Sequence, residues 1–205
     1  MKYPEYERAF SAARLNKYLT ACGGNTAKAL ILYRHNVKLC QKFYGMLNIF
    51  EVILRNAINE HYKAYFNDSD WIRSQLAPGG MLSQHPQKSV VDKTIADLTS
   101  VGRYTNDRVV SSVTFGFWTY LFTKKPFRLG GQSLLRIFPA KATGLGQRAI
   151  YNELMAVKNY RNKNYYRNNG YGEGGLTNFG ENGEEKIERF LHGFRLGTVF
   201  DISQC

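Results

Sequence analysis

The chain has 205 residues, of which 43% are hydrophobic and 14% aromatic, and its formal net charge is +12. A chain of this length can form a single hydrophobic core, and its apolar content argues against a fully disordered protein. No stretch approaches the roughly 20 uncharged apolar residues of a membrane span, and the first residues lack the apolar core of a signal peptide. The three cysteines have no metal-ligand spacing and indicate reduced thiols. The sequence therefore predicts a cytoplasmic protein with no membrane contact, metal or cofactor.

The first half predicts three helices and no strand pairs. They cover about residues 5–20, 26–36 and 39–65, with Asn25 in a cap region before the second. Apolar residues recur at three- and four-residue spacing along the third helix and form one stripe. The stripe consists of Met46, Phe50, Ile53, Leu54, Ala57 and Ile58.

The second half begins with a long connection at residues 67–86, which is rich in Asn, Asp, Pro and Gly. Breaks are expected at Pro126 and at residues 130–131, and residues 168–183 predict a flexible Gly/Asn-rich loop. Further helices are predicted at residues 90–101, 105–122, 145–165 and 184–196. The whole predicts a single all-α domain spanning residues 1–205.

Basic residues are concentrated in residues 124–167, where Glu153 is the one acidic residue and the net charge is +9. From residue 168 onward the chain is acidic, with a net charge of −3. Such an excess favours phosphate contacts with polyanions. A solubilising surface is an alternative, and both interpretations stay open. The basic residues are Lys124, Lys125, Arg128, Arg136, Lys141, Arg148, Lys158, Arg161, Lys163 and Arg167.

Three blocks of sequence, in matching order and spacing, resemble the Abi-like (abortive infection, AbiD/AbiF type) family. The first spans residues 13–58 and includes Glu51-Val52-Ile53-Leu54-Arg55-Asn56. The second is Thr114-Phe115-Gly116-Phe117-Trp118, close to the Phe-Gly-Phe-Trp signature of that family. The third is Val157-Lys158-Asn159-Tyr160-Arg161-Asn162, which looks like the start of its Arg-Asn-x-x-x-His motif.

The resemblance implies a HEPN-like helical bundle and a role in phage defence through growth arrest. In that superfamily the Arg-x(4–6)-His motif belongs to metal-independent ribonucleases, which are usually dimeric. The implied partners are therefore RNA, a second copy of the chain and an antitoxin. RNA carries its own nucleophile, so its cleavage needs only proton transfer and a cation for the phosphorane charge. His suits the first task at neutral pH, and Arg suits the second.

The motif does not complete here, because Tyr166 stands where the catalytic His is expected. A tyrosine with a pKa near 10 is a poor general base at neutral pH, although it can donate a hydrogen bond or stack on a base. Arg161 and Asn162 keep the phosphate-binding part of the motif. The other residues that we expect to contact RNA are Lys158, Lys163, Arg167, Arg148 and Arg55.

His61 is a candidate replacement for the missing imidazole, since it follows Arg55 within the Arg-x(4–6)-His range. It would have to approach Arg161 in the fold. The alternative is an ordinary histidine on the helix surface, on a helix where Glu51 and Arg55 are spaced for an ion pair that supports the bundle.

Aromatic residues occur in two places that matter. The cluster Phe115-Gly116-Phe117-Trp118 is interpreted as core, with Gly116 allowing close packing. Four tyrosines lie among basic residues, an arrangement that suits single-stranded RNA but equally a helix packing face. They are Tyr151, Tyr160, Tyr165 and Tyr166.

These patterns favour an RNA-directed toxin or defence protein with a degenerate ribonuclease motif. Two alternatives stay open: a catalytically inactive RNA-binding protein, and a helical bundle that binds another protein and whose basic face is incidental. The first alternative keeps Arg161 as a phosphate ligand without cleavage.

Overall fold

The computed structural model describes residues 3–141 and 143–168, and every regular element in this part is helical. The all-α prediction is confirmed for these residues. The loop expected at residues 168–183, apart from its first residue, and the helix expected at residues 184–196 lie outside them. In chain order the elements are α1 (Tyr3–Phe10), α2 (Ala12–Ala21), α3 (Thr26–Phe66), α4 (Trp71–Leu76), α5 (Lys88–Ser100), α6 (Asn106–Ser112), α7 (Phe115–Tyr120), α8 (Lys124–Leu129), a 3-10 helix (Leu134–Ile137) and α9 (Gln147–Asn168).

The longest element is α3, whose 41 residues extend about 61 Å at 1.5 Å per residue. The prediction of two helices over this span is wrong, because the sequence near residues 36–39 has no Pro or Gly to interrupt the backbone hydrogen bonds. The predicted cap is confirmed: the Asn25 side chain accepts a hydrogen bond of 3.0 Å from the Lys28 backbone amide. The helix ends at Asn67, which is in the left-handed conformation.

The main core forms around the second half of α3. Phe50, Leu54 and Ile58 of the predicted stripe are fully buried. Their partners come from α4, α5, α6, α7 and α9 and include both tryptophans. The side chains of Phe115, Phe117 and Trp118 are buried in this core, so the interpretation of that cluster as core is confirmed. Trp71, Tyr62 and Phe122 are also large side chains that are fully buried.

A second, smaller cluster joins α1 and α2 to the first part of α3. It consists of Leu15, Tyr18, Ala29 and Tyr33, with Asn36 donating a 2.9 Å hydrogen bond to the Tyr18 hydroxyl. The single helix expected at residues 5–20 is divided at Ser11, which has a φ of 71°. Two hydrophobic clusters therefore share one long helix.

The second half differs from the prediction in three places. The expected connection at residues 67–86 contains α4, because the Trp71 side chain is drawn into the core. The expected helix at residues 105–122 is divided into α6 and α7, since Val113 and Thr114 have extended backbones. Pro126 lies inside α8 and does not break it, because a proline in the first turn removes no helical hydrogen bond.

None of the helices in the described ranges has the combination of length and apolar composition that crossing a membrane would require.

Candidate nucleic-acid interface

Six basic side chains are exposed between the start of α8 and the first turn of α9. Residues 124–148 contain no Asp or Glu, and we call this stretch the basic segment. Within the described part of the chain, no carboxylate forms an ion pair with any of its cations. The exposed cations are Lys124, Lys125, Arg128, Arg136, Lys141 and Arg148.

Three lysines outside the basic segment have acidic partners, in contrast to the lysines of the basic segment. Two of the pairs are intrahelical contacts between residues four apart on α5. These partners cancel the charge of the three lysines, so α5 lacks the local excess of positive charge that the basic segment has. The pairs are Lys63 with Glu60 and Asp107, Lys88 with Asp92, and Lys93 with Asp97.

Buried apolar residues fix the backbone of the basic segment. Pro126, Leu134 and Phe138 are buried, so α8 and the 3-10 helix are both anchored in the core. At the start of α9, the Gln147 side-chain amide donates a hydrogen bond to the Phe122 carbonyl. All of these cations except Lys141 are therefore carried by helices that pack on the core.

Arg161 lies on α9 and forms an ion pair with Glu51 of α3, at 2.9 Å between Nη1 and Oε2. The side chains of Arg161 and Glu51 are 33% and 16% exposed, respectively. Leu154 and Val157 on the same helix are buried and hold α9 against the core. Glu51 thus pairs with an arginine from another helix, and not with Arg55 as their spacing allowed. One third of the Arg161 side chain stays accessible to solvent.

Two other basic residues predicted to contact RNA are less accessible than Arg148. Arg55 is partly buried, and its Nε is buried with no hydrogen-bond partner in the described part of the chain. Lys158 is also partly buried and lies across Gly116, where a Cβ would be 3.3 Å from its Nζ. Gly116 therefore makes room for the Lys158 side chain.

His61 lies near the C-terminal end of α3, beyond Glu51, which is the residue of α3 that pairs with Arg161. Its Nε2 is 3.0 Å from the Ser133 hydroxyl. Burial, and secondarily the charge of Arg136, lower the pKa of His61 below its ordinary value. Ten residues separate Glu51 from His61, which is about 15 Å along a helix axis. The structure places His61 beside Ser133 and Arg161 beside Glu51, and the replacement of the missing imidazole by His61 stays a prediction.

The remaining predicted residues belong to the last turns of α9. Asn162, Lys163, Tyr166 and Arg167 lie on the helical backbone of α9, and their side chains lie outside the described part. Of the tyrosines considered for stacking, Tyr151 is partly buried against the core.

Sequence reasoning missed one pairing and two residues that the structure makes prominent. Glu51 is the partner of Arg161, and Tyr65 and Ser133 are neighbours of His61. The spacing of four between His61 and Tyr65 did place both on one face of a helix. No local signal connects His61 with Ser133, which is 72 residues away.

In the part of the chain that the structure describes, no three His, Cys, Asp or Glu side chains are grouped as they would be around a metal ion. No family model matches the sequence, and it matches no curated protein and no solved structure. The relation to the Abi-like family therefore stays a prediction from the three blocks quoted above.

Proposed function

We propose that this protein binds RNA through the basic segment, and that it serves in phage defence of the abortive-infection type as a HEPN-like helical bundle. The observation that carries the proposal is the set of six exposed cations in residues 124–148, without a carboxylate in that stretch. Arginine and lysine side chains without acidic partners bind phosphates and release counterions.

The choice of RNA among polyanions comes from the resemblance to Abi-like proteins. The same resemblance implies a homodimer and an antitoxin, and both remain predictions. An anionic membrane is a weaker candidate, since such binding favours an amphipathic helix with apolar residues opposite its cations. Here Phe127 of α8 and the apolar side chains of the 3-10 helix pack against the core, and Leu129 alone among them is exposed, which does not make an apolar face.

Binding is favoured over cleavage because Tyr166 replaces the expected His and because His61 is held about 15 Å along α3 from the partner of Arg161. Cleavage by a degenerate ribonuclease site is the second candidate function. The observation in its favour is Arg161, which is fixed by Glu51 and yet one-third exposed. A cation held in this way can bind a phosphate without reorganising first.

The test combines binding and cleavage of end-labelled single-stranded RNA in EDTA. The proteins are the natural sequence, Arg161→Ala and Tyr166→His. We expect all three to bind RNA in low salt, and the natural sequence to leave it intact. Cleavage by Tyr166→His alone would identify a HEPN-like site that lacks its imidazole.

Cleavage by the natural sequence that is lost in Arg161→Ala would instead establish the ribonuclease. If none of the three proteins binds or cuts RNA at low salt, the proposed function is wrong, and a protein-interaction bundle takes its place.

A further inference from the structure

We propose that Tyr65 is a stacking platform for an unpaired RNA base, with Arg128 and Arg136 binding the phosphates on either side of it. This inference rests on the proposed RNA-binding function and adds the class of RNA, which is single-stranded. Tyr65 was not among the tyrosines that the sequence singled out, because it lies in α3, far in sequence from the basic residues at 124–167.

The Tyr65 ring is both exposed and held in place. It lies in the last turn of α3 and is 46% exposed. Its hydroxyl lies against Gly131, where a Cβ would collide with it and where φ is +74°. On another side, the His61 ring lies nearly parallel to it, with 12° between the planes and 6.3 Å between the centroids. A ring held in this way loses little conformational entropy when a base stacks on it.

Gly131, against which the Tyr65 hydroxyl lies, belongs to the turn between Arg128 and Arg136 of the basic segment. The Gly131 amide donates a 3.2 Å hydrogen bond to the carbonyl of Arg128, in the last turn of α8. Arg136 follows in the 3-10 helix, close enough to His61 for its charge to act on that ring. Both arginine side chains are exposed. Tyr65 is thus an exposed aromatic ring beside a turn that has a cation on each side.

The neighbouring Gly130 shows how closely this turn packs against α3. A Cβ at Gly130 would be 2.6 Å from the hydroxyl of Tyr62, which is buried. Two consecutive glycines therefore let the turn lie directly on two tyrosines of α3. The packing fixes the backbone of the turn between Arg128 and Arg136 relative to the Tyr65 ring.

This arrangement predicts a preference for unpaired bases. Stacking on an aromatic side chain is available to any base that is not in a duplex and is tolerant of sequence. In double-stranded RNA the base faces are covered, and recognition uses phosphates and 2′-hydroxyls. The basic segment alone would bind both forms, whereas Tyr65 adds affinity only for the single strand.

The test measures the fluorescence anisotropy of a labelled single-stranded RNA and of a blunt duplex of the same length, at several salt concentrations. The variants are Tyr65→Ala, Tyr65→Phe and, as a matched control, Tyr44→Ala, which removes a 38% exposed tyrosine from the same helix. Tyr65→Ala should weaken single-strand binding roughly fivefold to hundredfold and leave duplex binding unchanged. Tyr65→Phe and Tyr44→Ala should bind both RNAs as the natural sequence does.

Salt dependence separates stacking from charge. Tyr65→Ala should keep the slope of log K against log salt concentration, whereas Arg136→Gln should reduce it by about 0.7 for a single strand. If the natural sequence binds with a steep slope and Tyr65→Ala binds the single strand equally well, the stacking proposal is wrong and the proposed function stands. If the natural sequence binds neither RNA, the proposed function itself fails.

A second measurement covers the case in which Tyr65→Ala does not fold. The natural sequence is irradiated with 4-thiouridine-containing single-stranded RNA, and the cross-linked peptide is identified by mass spectrometry. A cross-link at Tyr65 is expected. Cross-links that all lie elsewhere would overturn the stacking proposal.

Discussion

The exposed cations of the basic segment should contribute more to RNA binding than equal charges elsewhere. The perturbation is the double variant Lys124→Gln/Arg148→Gln, which removes two cations that have no carboxylate partner among the described residues. The matched control is Lys88→Gln/Lys93→Gln on α5, where each lysine has an aspartate partner at 2.8 or 2.7 Å. Both variants lower the formal net charge of +12 by two.

The expected magnitude follows from counterion release. Each phosphate contact with a single strand contributes about 0.7 to the slope of log K against log salt concentration, so two contacts contribute about 1.4. If the natural sequence and the double variant bind equally at 1 M salt, this difference in slope makes the variant bind roughly tenfold more weakly at 0.15 M salt. The control removes lysines that are already neutralised, and exposed pairs of this kind contribute little to stability. Both variants should therefore fold, and the control should keep nearly the natural slope.

The assay is a titration of labelled single-stranded RNA by anisotropy at four or more salt concentrations. Thermal unfolding of each variant confirms that it is folded. Equal losses of slope in the two variants would refute the reasoning, because they would show that net charge, and not the basic segment, determines binding. A loss confined to the control would place the interface on α5.

Three further predictions concern the fold that supports this surface. Leu54→Ala, at a fully buried position, should lower the free energy of unfolding by about 2–5 kcal/mol in urea titrations; a change near zero would contradict the packing described above. Asn59→Ala should cost about 1–3 kcal/mol, because the buried Trp71 indole N–H loses the 2.9 Å hydrogen bond to the Asn59 side-chain oxygen; an unchanged melting temperature would argue against this bond. Burial lowers the pKa of His85 below its ordinary value of 6.5, although the hydrogen bond of Nε2 with the Phe117 carbonyl opposes this shift. The other ring nitrogen, Nδ1, accepts a hydrogen bond from the Gln87 backbone amide. The stabilisation by neutral His85 should therefore be present above about pH 6.5 and lost as the pH falls through the lowered pKa. His85→Gln should unfold with a weaker pH dependence between pH 7.5 and 5, and an unaltered dependence would assign it to other groups.

Local patterns in the sequence predicted the second half of α3 and its core face well. The stripe through Phe50, Leu54 and Ile58 has helical spacing, and burial of one face follows directly from it. The boundaries were harder to predict, since they depend on tertiary contacts. Trp71 enters the core and makes α4 from an expected loop, and two extended residues divide the helix expected at 105–122.

For the candidate site, too, local features could be predicted from the sequence, whereas a contact between distant residues could not. The excess of cations was visible in the sequence, and so was a Tyr at position 166, where the resemblance predicts a His. The pairing of Arg161 with Glu51 joins residues 110 positions apart, and the local spacing had instead suggested Glu51 with Arg55. A spacing rule cannot choose between a partner on the same helix and a distant one, because that choice depends on how α9 packs against α3.

The most direct test of RNA binding by the basic segment is lysine footprinting on the natural protein. Acetylation of each lysine is quantified by mass spectrometry with and without single-stranded RNA, and α5 provides the internal control. Binding as proposed here predicts protection of Lys124, Lys125 and Lys141, with Lys88 and Lys93 modified equally in both samples. Protection of the α5 lysines without protection of the basic segment would contradict it.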